Sequence, residues 1–418
     1  MTSRSSRACT SSLALLSISC TGAMDRGAYT VRDSAGIEII ESRAPAWREG
    51  SGWRVVEPAL VQIGVTEGDE RYQLFDAQQV ARLSDGTILV LNAGTQEIRF
   101  YDATGRFLRS IGGRGRGPGE FQVLELIAVT AGDTILAYNR IPPQLAVFNA
   151  AGDLLRVDPV PRPGDRSSFE GIAMPAGILH ANRVVLSAQP VAGRTLDFVD
   201  GLYRMPWPVA VADVPLARFD SVTTAPGIEV MLEHFGTGVR MSIPPFRRGM
   251  DILARDSIIW IAPNDDYTVR MLDAAGRVRR LVRVLSAPVR VTAEHLAAWR
   301  ADLFARYPDL TQAQRAETER VLAAMPVPET MPAYDGIDVD REGNLWAHAY
   351  RLPGNTGPDS VRVFDTRGRW LGDLSLPAGI KRQGQPLPLE IGDDWILGIW
   401  TDALDVDYVR LYRLAKGR

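Results

Sequence analysis

The sequence predicts an all-β fold, a six-bladed β-propeller closed by an N-terminal strand and carrying a two-helix insertion. Three observations lead there. A strand-and-hairpin unit recurs along the chain, helical periodicity is confined to one stretch, and the last unit is one strand short while a strand near the N-terminus stands unpaired. The composition agrees: 418 residues, 45% hydrophobic and 23% charged with a net charge of −3, describe globular material with no mark of a nucleic-acid binder. The 27 prolines and 38 glycines are spread along the chain, as turns between short strands require. No apolar run reaches the roughly 18 residues that a membrane-spanning helix needs.

From the N-terminus, Arg4 and Arg7 precede the small and apolar "ACTSSLALLSIS", and Cys20 follows. This is the order of an export signal, so residues 1–20 are read as a signal peptide. "LSISC" resembles a bacterial lipobox and makes Cys20 the lipidation site, although Ser17 stands where Leu or Val is usual. Cys9 and Cys20 are the only cysteines, which excludes disulfides, cysteine metal sites and a cysteine nucleophile from Thr21 onward. Residues 21–52 form an N-terminal extension, and 53–418 form the propeller.

Within 53–418, four segments align without gaps: "IRFYDATG" (98–105), "LAVFNAAG" (145–152), "VRMLDAAG" (269–276) and "VRVFDTRG" (361–368). Each alternates as a strand does and ends in Asp or Asn with Gly three positions later. The Asx side chain can accept turn amides and Gly tolerates positive φ, so each closes a tight hairpin. Upstream of each lies a second strand that starts at a polar turn: "DGTILVLN" (85–92), "GDTILAYN" (132–139), "RDSIIWIA" (255–262) and "EGNLWAHA" (342–349). "ANRVVLSA" (181–188) and "GDDWILGI" (392–399) bring the count of units to six. Six units of four short antiparallel strands make a propeller, in which each blade buries its faces against its neighbours. The last unit holds "PLPLEI", "WILGIW" and "YVRLYRL", and "WRVVEPALVQIG" (53–64) supplies its fourth strand, leaving no free sheet edge where the ends meet.

The glycine-rich "IGGRGRGPGEF" (111–121) could suggest a phosphate cradle, but such a cradle sits between a strand and a helix. Here "FQVLELIAV" follows, another strand, so the loop is read as a crossing between blades. It is equivalent to "IGVTEGDERYQLF" at 63–75.

The run "GRFLRSIGGRGRGPGEF", "GDTILAYN", "LAVFNAAG" resembles the NHL-repeat class of six-bladed β-propellers. It is still more similar to the six-bladed propeller lipoproteins of bacterial cell envelopes, whose biochemical role is undefined. The resemblance spans about 30–415 in pattern, is strongest in blades one, two, four and five, and is weak in blade three (about 165–220). It implies fold rather than activity. NHL repeats usually carry Asp at the end of the second strand, where this chain has Asn92 and Asn139.

Chemistry is sparse. His180, His234, His295 and His348 are isolated, with no pair at zinc-ligand spacing, so a structural or surface role is expected for them. No nucleophile elbow occurs. Innermost strands line the channel of a propeller, and six acids stand near their starts: Asp76, Glu125, Glu170, Asp251, Asp335 and Glu390. Such a ring could hold Ca²⁺ through oxygen ligands, as in gluconolactonase-like propellers, although distances from acid to turn vary; the alternative is solvated strand-entry residues.

Two insertions complete the reading. "TAEHLAAWRADLFARY" from Thr292 places Leu296, Trp299, Leu303 and Tyr307 on one helical face before Pro308. A second helix follows the capping-box spacing of Thr311 and Gln314, so 292–325 is a helical pair expected to cover the propeller with its apolar face. The segment 223–246 reads as an extra hairpin.

Strand parity puts the short turns on one face of the disc and both insertions, with the Arg114 and Arg116 loop, on the other. Insertions gather on the face that binds. The expectation is an exported binding module of the cell envelope for a protein or small ligand. Arg114, Arg116, Asn92 and Asn139 are its candidate ligand contacts, Glu120 is a structural residue of the turn, and membrane attachment is through lipid alone. The alternative is a cation-dependent hydrolase or lactonase-like enzyme.

Overall fold

The computed structural model describes residues 27–130, 132–161, 172–189, 198–215, 217–355, 357–381 and 389–417. Six antiparallel four-stranded units follow one another in chain order. The first comprises Ala77–Arg82, Ile88–Asn92, Glu97–Tyr101 and Phe107–Gly112. The second comprises Leu124–Thr130, Thr134–Arg140, Pro143–Phe148 and Leu154–Pro159. The third runs from Ile172–Leu179 through Arg183–Gln189 and Trp207–Asp213 to Arg218–Ala225, and the fourth from Met250–Asp256 to Val278–Val284. The fifth runs from Gly336–Val339 to Trp370–Leu376. In the sixth, Leu389–Ile391, Trp395–Thr401 and Asp407–Ala415 are completed by Arg54–Ile63, antiparallel to Asp407–Ala415.

The four repeated hairpins close as their Asx and Gly residues dictate. Asp102 Oδ1 accepts the amides of Thr104 (2.9 Å) and Arg106 (3.0 Å), and Asp365 Oδ1 those of Arg367 (3.0 Å) and Arg369 (2.9 Å). The glycines three positions on have φ of +86 (Gly105), +85 (Gly152), +78 (Gly276) and +86 (Gly368). The Thr104 hydroxyl and the Arg106 amide hold the Asp102 carboxyl down to about 2.

Burial follows strand alternation. Six apolar clusters each join one unit to the next, from Phe100 and Phe121 between the first and second to Trp346 and Trp400 between the fifth and sixth. The last packs Leu397, Ile399 and Val61 of the sixth unit on Ile88, Val90 and Tyr101 of the first. Where innermost strands of neighbouring units do not pair with each other, their edges face the central channel with backbone amides that need partners.

Three features depart from the reading of the sequence. The third and fourth units share one ten-stranded sheet, because Ile172–Leu179 runs parallel to Met250–Asp256. Gly177 makes this approach possible: at φ +139 its position would put a Cβ 2.0 Å from the Ala254 carbonyl oxygen. The extension includes a hairpin, Tyr29–Ser34 with Ile37–Ser42, that adds to the fourth unit by parallel pairing with Val278–Val284. The insertion expected from 223 starts after Ala225, and its hairpin, Glu229–Phe235 with Gly238–Ser242, joins Gly201–Arg204 in a separate three-stranded sheet.

The helices are α1 (Ala293–Ala305) and α2 (Gln312–Ala324), capped by Thr292 and Thr311. Their apolar residues Trp299, Leu303, Phe304, Val321, Leu322 and Met325 pack on one another, and the Trp299 ring also lies 6.4 Å from that of Phe246, outside the pair. Tyr307, expected on that face, lies beyond α1 and is exposed.

Candidate functional site

The sequence-derived candidates resolve into different jobs. Asn92 and Asn139 are buried at the ends of equivalent second strands. Asn139 Oδ1 accepts the amides of Gln122 (3.1 Å) and Val123 (2.9 Å), and its Nδ2 donates to the carbonyls of Ile141 (2.8 Å) and Pro142 (2.9 Å). Asn92 Oδ1 accepts Phe75 N at 2.7 Å, and Asn264 Oδ1 of the fourth unit accepts Gly249 N at 2.7 Å. The three asparagines pin the incoming crossing to the second strand of its blade. Arg114 and Arg116 are exposed on the crossing loop, and their side chains make no hydrogen bond or ion pair among the described residues. Glu120 Oε2 accepts Gly117 N at 2.8 Å, within the turn. Cys20 and Glu170 lie outside the described residues.

Among the described residues the acids do not assemble into a ring. Among the described residues, no three His, Cys, Asp or Glu side chains come together in a group able to hold a metal ion. Glu390 Oε2 accepts Arg82 N at 2.7 Å and Asp251 Oδ2 accepts Ile337 N at 2.8 Å. Each caps an edge amide of the next blade's innermost strand, as Gln79 does for Ile127 N at 2.7 Å. Basic groups engage others: Arg140 Nε donates to Glu125 at 2.6 Å, Arg341 Nη2 to Glu390 at 2.7 Å, and Lys381 Nζ lies 3.6 Å from Asp76. Burial pushes the Glu125 carboxyl up, against the pull of Arg140.

The histidines are equally scattered. His295 completes the cap of α1, accepting Thr292 N at 3.2 Å through Nδ1, a role that the Thr-x-x-His spacing did not suggest. His234 lies 2.7 Å from Asp200, and its ring stacks on Phe198 at 4.4 Å. His348 Nε2 is 2.7 Å from Asp338 in a fully enclosed pair whose carboxyl burial pushes up. The exposed His180 lies 3.9 Å from Asp256.

One concavity on the elaborated face is a groove of about 830 Å³ among α1, α2, the 229–242 hairpin and the loop after His348. Its frame is tied together: Arg240 Nη1 donates to Glu317 at 3.0 Å, and Gly354 N donates to Asp302 at 2.9 Å. Arg320 and then Arg240 hold the Glu317 carboxyl at about 2. The walls expose Ile243, Tyr307 and Leu352.

At its inner end Tyr350 and Asp335 lie close to Arg247, just before the fourth unit's first strand. Burial pushes the Arg247 guanidinium below its usual range against the opposing pull of Asp335, and burial raises Tyr350 to about 12. Neither Arg247 nor Tyr350 makes a side-chain hydrogen bond among the described residues. A groove that exposes apolar side chains between polar and charged ones suits a ligand with both an apolar and a polar part.

The fold and this groove define a β-propeller of six blades with one elaborated face. A family model described as a 6-bladed beta-propeller matches residues 69–158, the first two blades. Among solved structures, a member of the duf4221 family from Bacteroides vulgatus superposes with a TM-score of 0.50 at 11% identity, covering 88% of this chain and 100% of that one. A Bacteroides fragilis protein whose name marks it as a candidate exported protein gives a TM-score of 0.45 at 12% identity, over 91% of this chain and 100% of that one. A gluconolactonase from Xanthomonas campestris gives 0.39 at 11%, over 86% and 99%. Among curated proteins none matches this sequence.

Proposed function

We propose that this propeller is an exported binding module of the cell envelope, and that its partner docks in the groove on the elaborated face. The observation that carries the reading is the groove itself, framed by three insertions that are hydrogen-bonded to one another yet leave Ile243, Tyr307 and Leu352 exposed. A cover serving only stability would bury those side chains. The partner presents an apolar segment that lies along the helices.

In this proposal the pairing of Arg54–Ile63 with Asp407–Ala415 closes the ring, giving the insertions a rigid base. Cys20, if acylated, tethers the domain to a membrane, and its lipid chains provide the attachment. Immobilised wild-type protein is expected to retain an envelope partner that the exposed-site variants Ile243→Glu and Leu352→Glu release. Ala103→Glu, on a short turn of the opposite face, is expected to keep it. The reverse pattern would place the site on the wrong side in this account.

A further inference from the structure

A second cavity, of about 680 Å³, opens on the opposite face, where the innermost strands end at the mouth of the central channel. Val80, Leu126, Ile178 and Val339 give it an aliphatic wall, and Arg82, Arg255 and Arg341 reach it from three different blades. We propose that this mouth binds a small carboxylate with an apolar body, and that Arg82 is the residue that takes the carboxylate.

Most polar groups around the mouth are already engaged. Glu390 is held by Arg341 (2.7 Å) and by Arg82 N (2.7 Å), and Asp338 is paired with His348 (2.7 Å). Asp133 accepts Ser84 N at 3.0 Å, and the exposed Asp256 sits 3.9 Å from His180. Glu390, Asp338 and Asp133 are thus committed within the protein, and Asp256 stays exposed at the rim.

The Arg82 guanidinium, by contrast, makes no hydrogen bond or ion pair among the described residues, and its Nε is wholly buried without a partner. It is nonetheless held in place, with its central carbon 5.0 Å from the centre of the Trp395 ring, which Arg341 also approaches at 4.9 Å. Arg255 spends one donor on the Val339 carbonyl at 2.8 Å. A planar fork of donors, fixed by stacking and short of acceptors, matches a carboxylate bidentately, and the aliphatic wall beneath would take an apolar body. This site stands apart from the groove, on the other face of the disc, and does not depend on it.

Calorimetric titration of the full chain with benzoate, benzamide and inorganic phosphate tests the proposal. Benzoate is expected to saturate one site, with benzamide and phosphate each at least about tenfold weaker. Arg82→Gln should weaken benzoate by about tenfold or more, Arg82→Lys should fall between the two, and Leu155→Ser, on an exposed outer strand far from both cavities, should bind it as the wild type does. Absence of benzoate binding, equal binding of benzoate and benzamide, or undiminished binding by Arg82→Gln would overturn it. Phosphate outcompeting benzoate would also overturn it, by assigning a bare-anion site. If Arg82→Gln fails to fold by circular dichroism, the three-probe comparison on the wild type decides alone.

Discussion

Glu390 stands where a channel carboxylate could be either a metal ligand or a strand cap, and its removal distinguishes the two. Its Oε2 accepts Arg82 N at 2.7 Å, its Oε1 accepts Arg341 Nη2 at 2.7 Å and Nε at 2.9 Å, and its side chain is only 11% exposed. Glu390→Ala leaves the Arg82 amide without an acceptor on the channel edge and Arg341 without its counter-ion. Hydrogen bonds to a charged, largely buried group are worth about 1.5–3 kcal/mol. Arg341 is 32% exposed, so solvent screening holds the ion-pair share to about 1 kcal/mol or less.

The expected loss is therefore about 2–4 kcal/mol for Glu390→Ala, and about half that for Glu390→Gln, which keeps an acceptor for the amide. Urea unfolding at pH 7, with and without a chelator and with added Ca²⁺, measures it. A change within about 0.5 kcal/mol for Glu390→Ala would refute the capping argument, since that is the range of ordinary surface substitutions. A wild-type protein that loses comparable stability to the chelator alone would refute it from the other side, because a bound cation stabilises by mass action.

Two further expectations follow from single contacts. Gly177→Ala puts a Cβ 2.0 Å from the Ala254 carbonyl oxygen at φ +139, so thermal unfolding should show a loss of about 3 kcal/mol or more; a wild-type melting curve would mean that the parallel seam between the third and fourth units is wrong. Glu317 titrates at about 2 in the folded chain, below the roughly 4.3 of an unfolded glutamate, so its contribution is fully present above pH 4.3 and is lost as pH falls toward 2. Hydrogen exchange across that window should show α1 and α2 losing protection before the blades do, and simultaneous loss would show that Glu317 does not hold the frame.

Much of the blade pattern was legible in the sequence because a hairpin is a local device. Asp102, Asn149, Asp273 and Asp365 each satisfy their own turn within a few residues, and the spacing to the following glycine records it. Capping residues that act across blades left no comparable mark. Gln79 and Ile127, or Asp251 and Ile337, meet only once the disc has formed, and an acid near a strand entry reads equally well as a ligand or a cap.

The third unit matched poorly for a related reason: Gly201–Arg204 leaves the blade to pair with the hairpin at 229–242, interrupting the four-strand rhythm. The helical pair was found by its caps and its periodicity. Its orientation depends on Asp302 with Gly354 and on Arg240 with Glu317, contacts between segments far apart in the chain. Arg82 carried no signal at all, because the significance of its side chain lies in Trp395 beneath it and in acids already taken by others.

Site-specific photo-crosslinking in the organism that makes the protein tests whether the elaborated face is the docking face. A photoreactive amino acid at Tyr307, exposed beside the groove, is compared with the same group at Ala103 and Ala275 in short turns of the opposite face. A discrete adduct is expected from position 307, reduced by Ile243→Glu, and none from 103 or 275. Adducts from 103 or 275 with none from 307 would contradict it, and the elaborated face would then be scaffold rather than site.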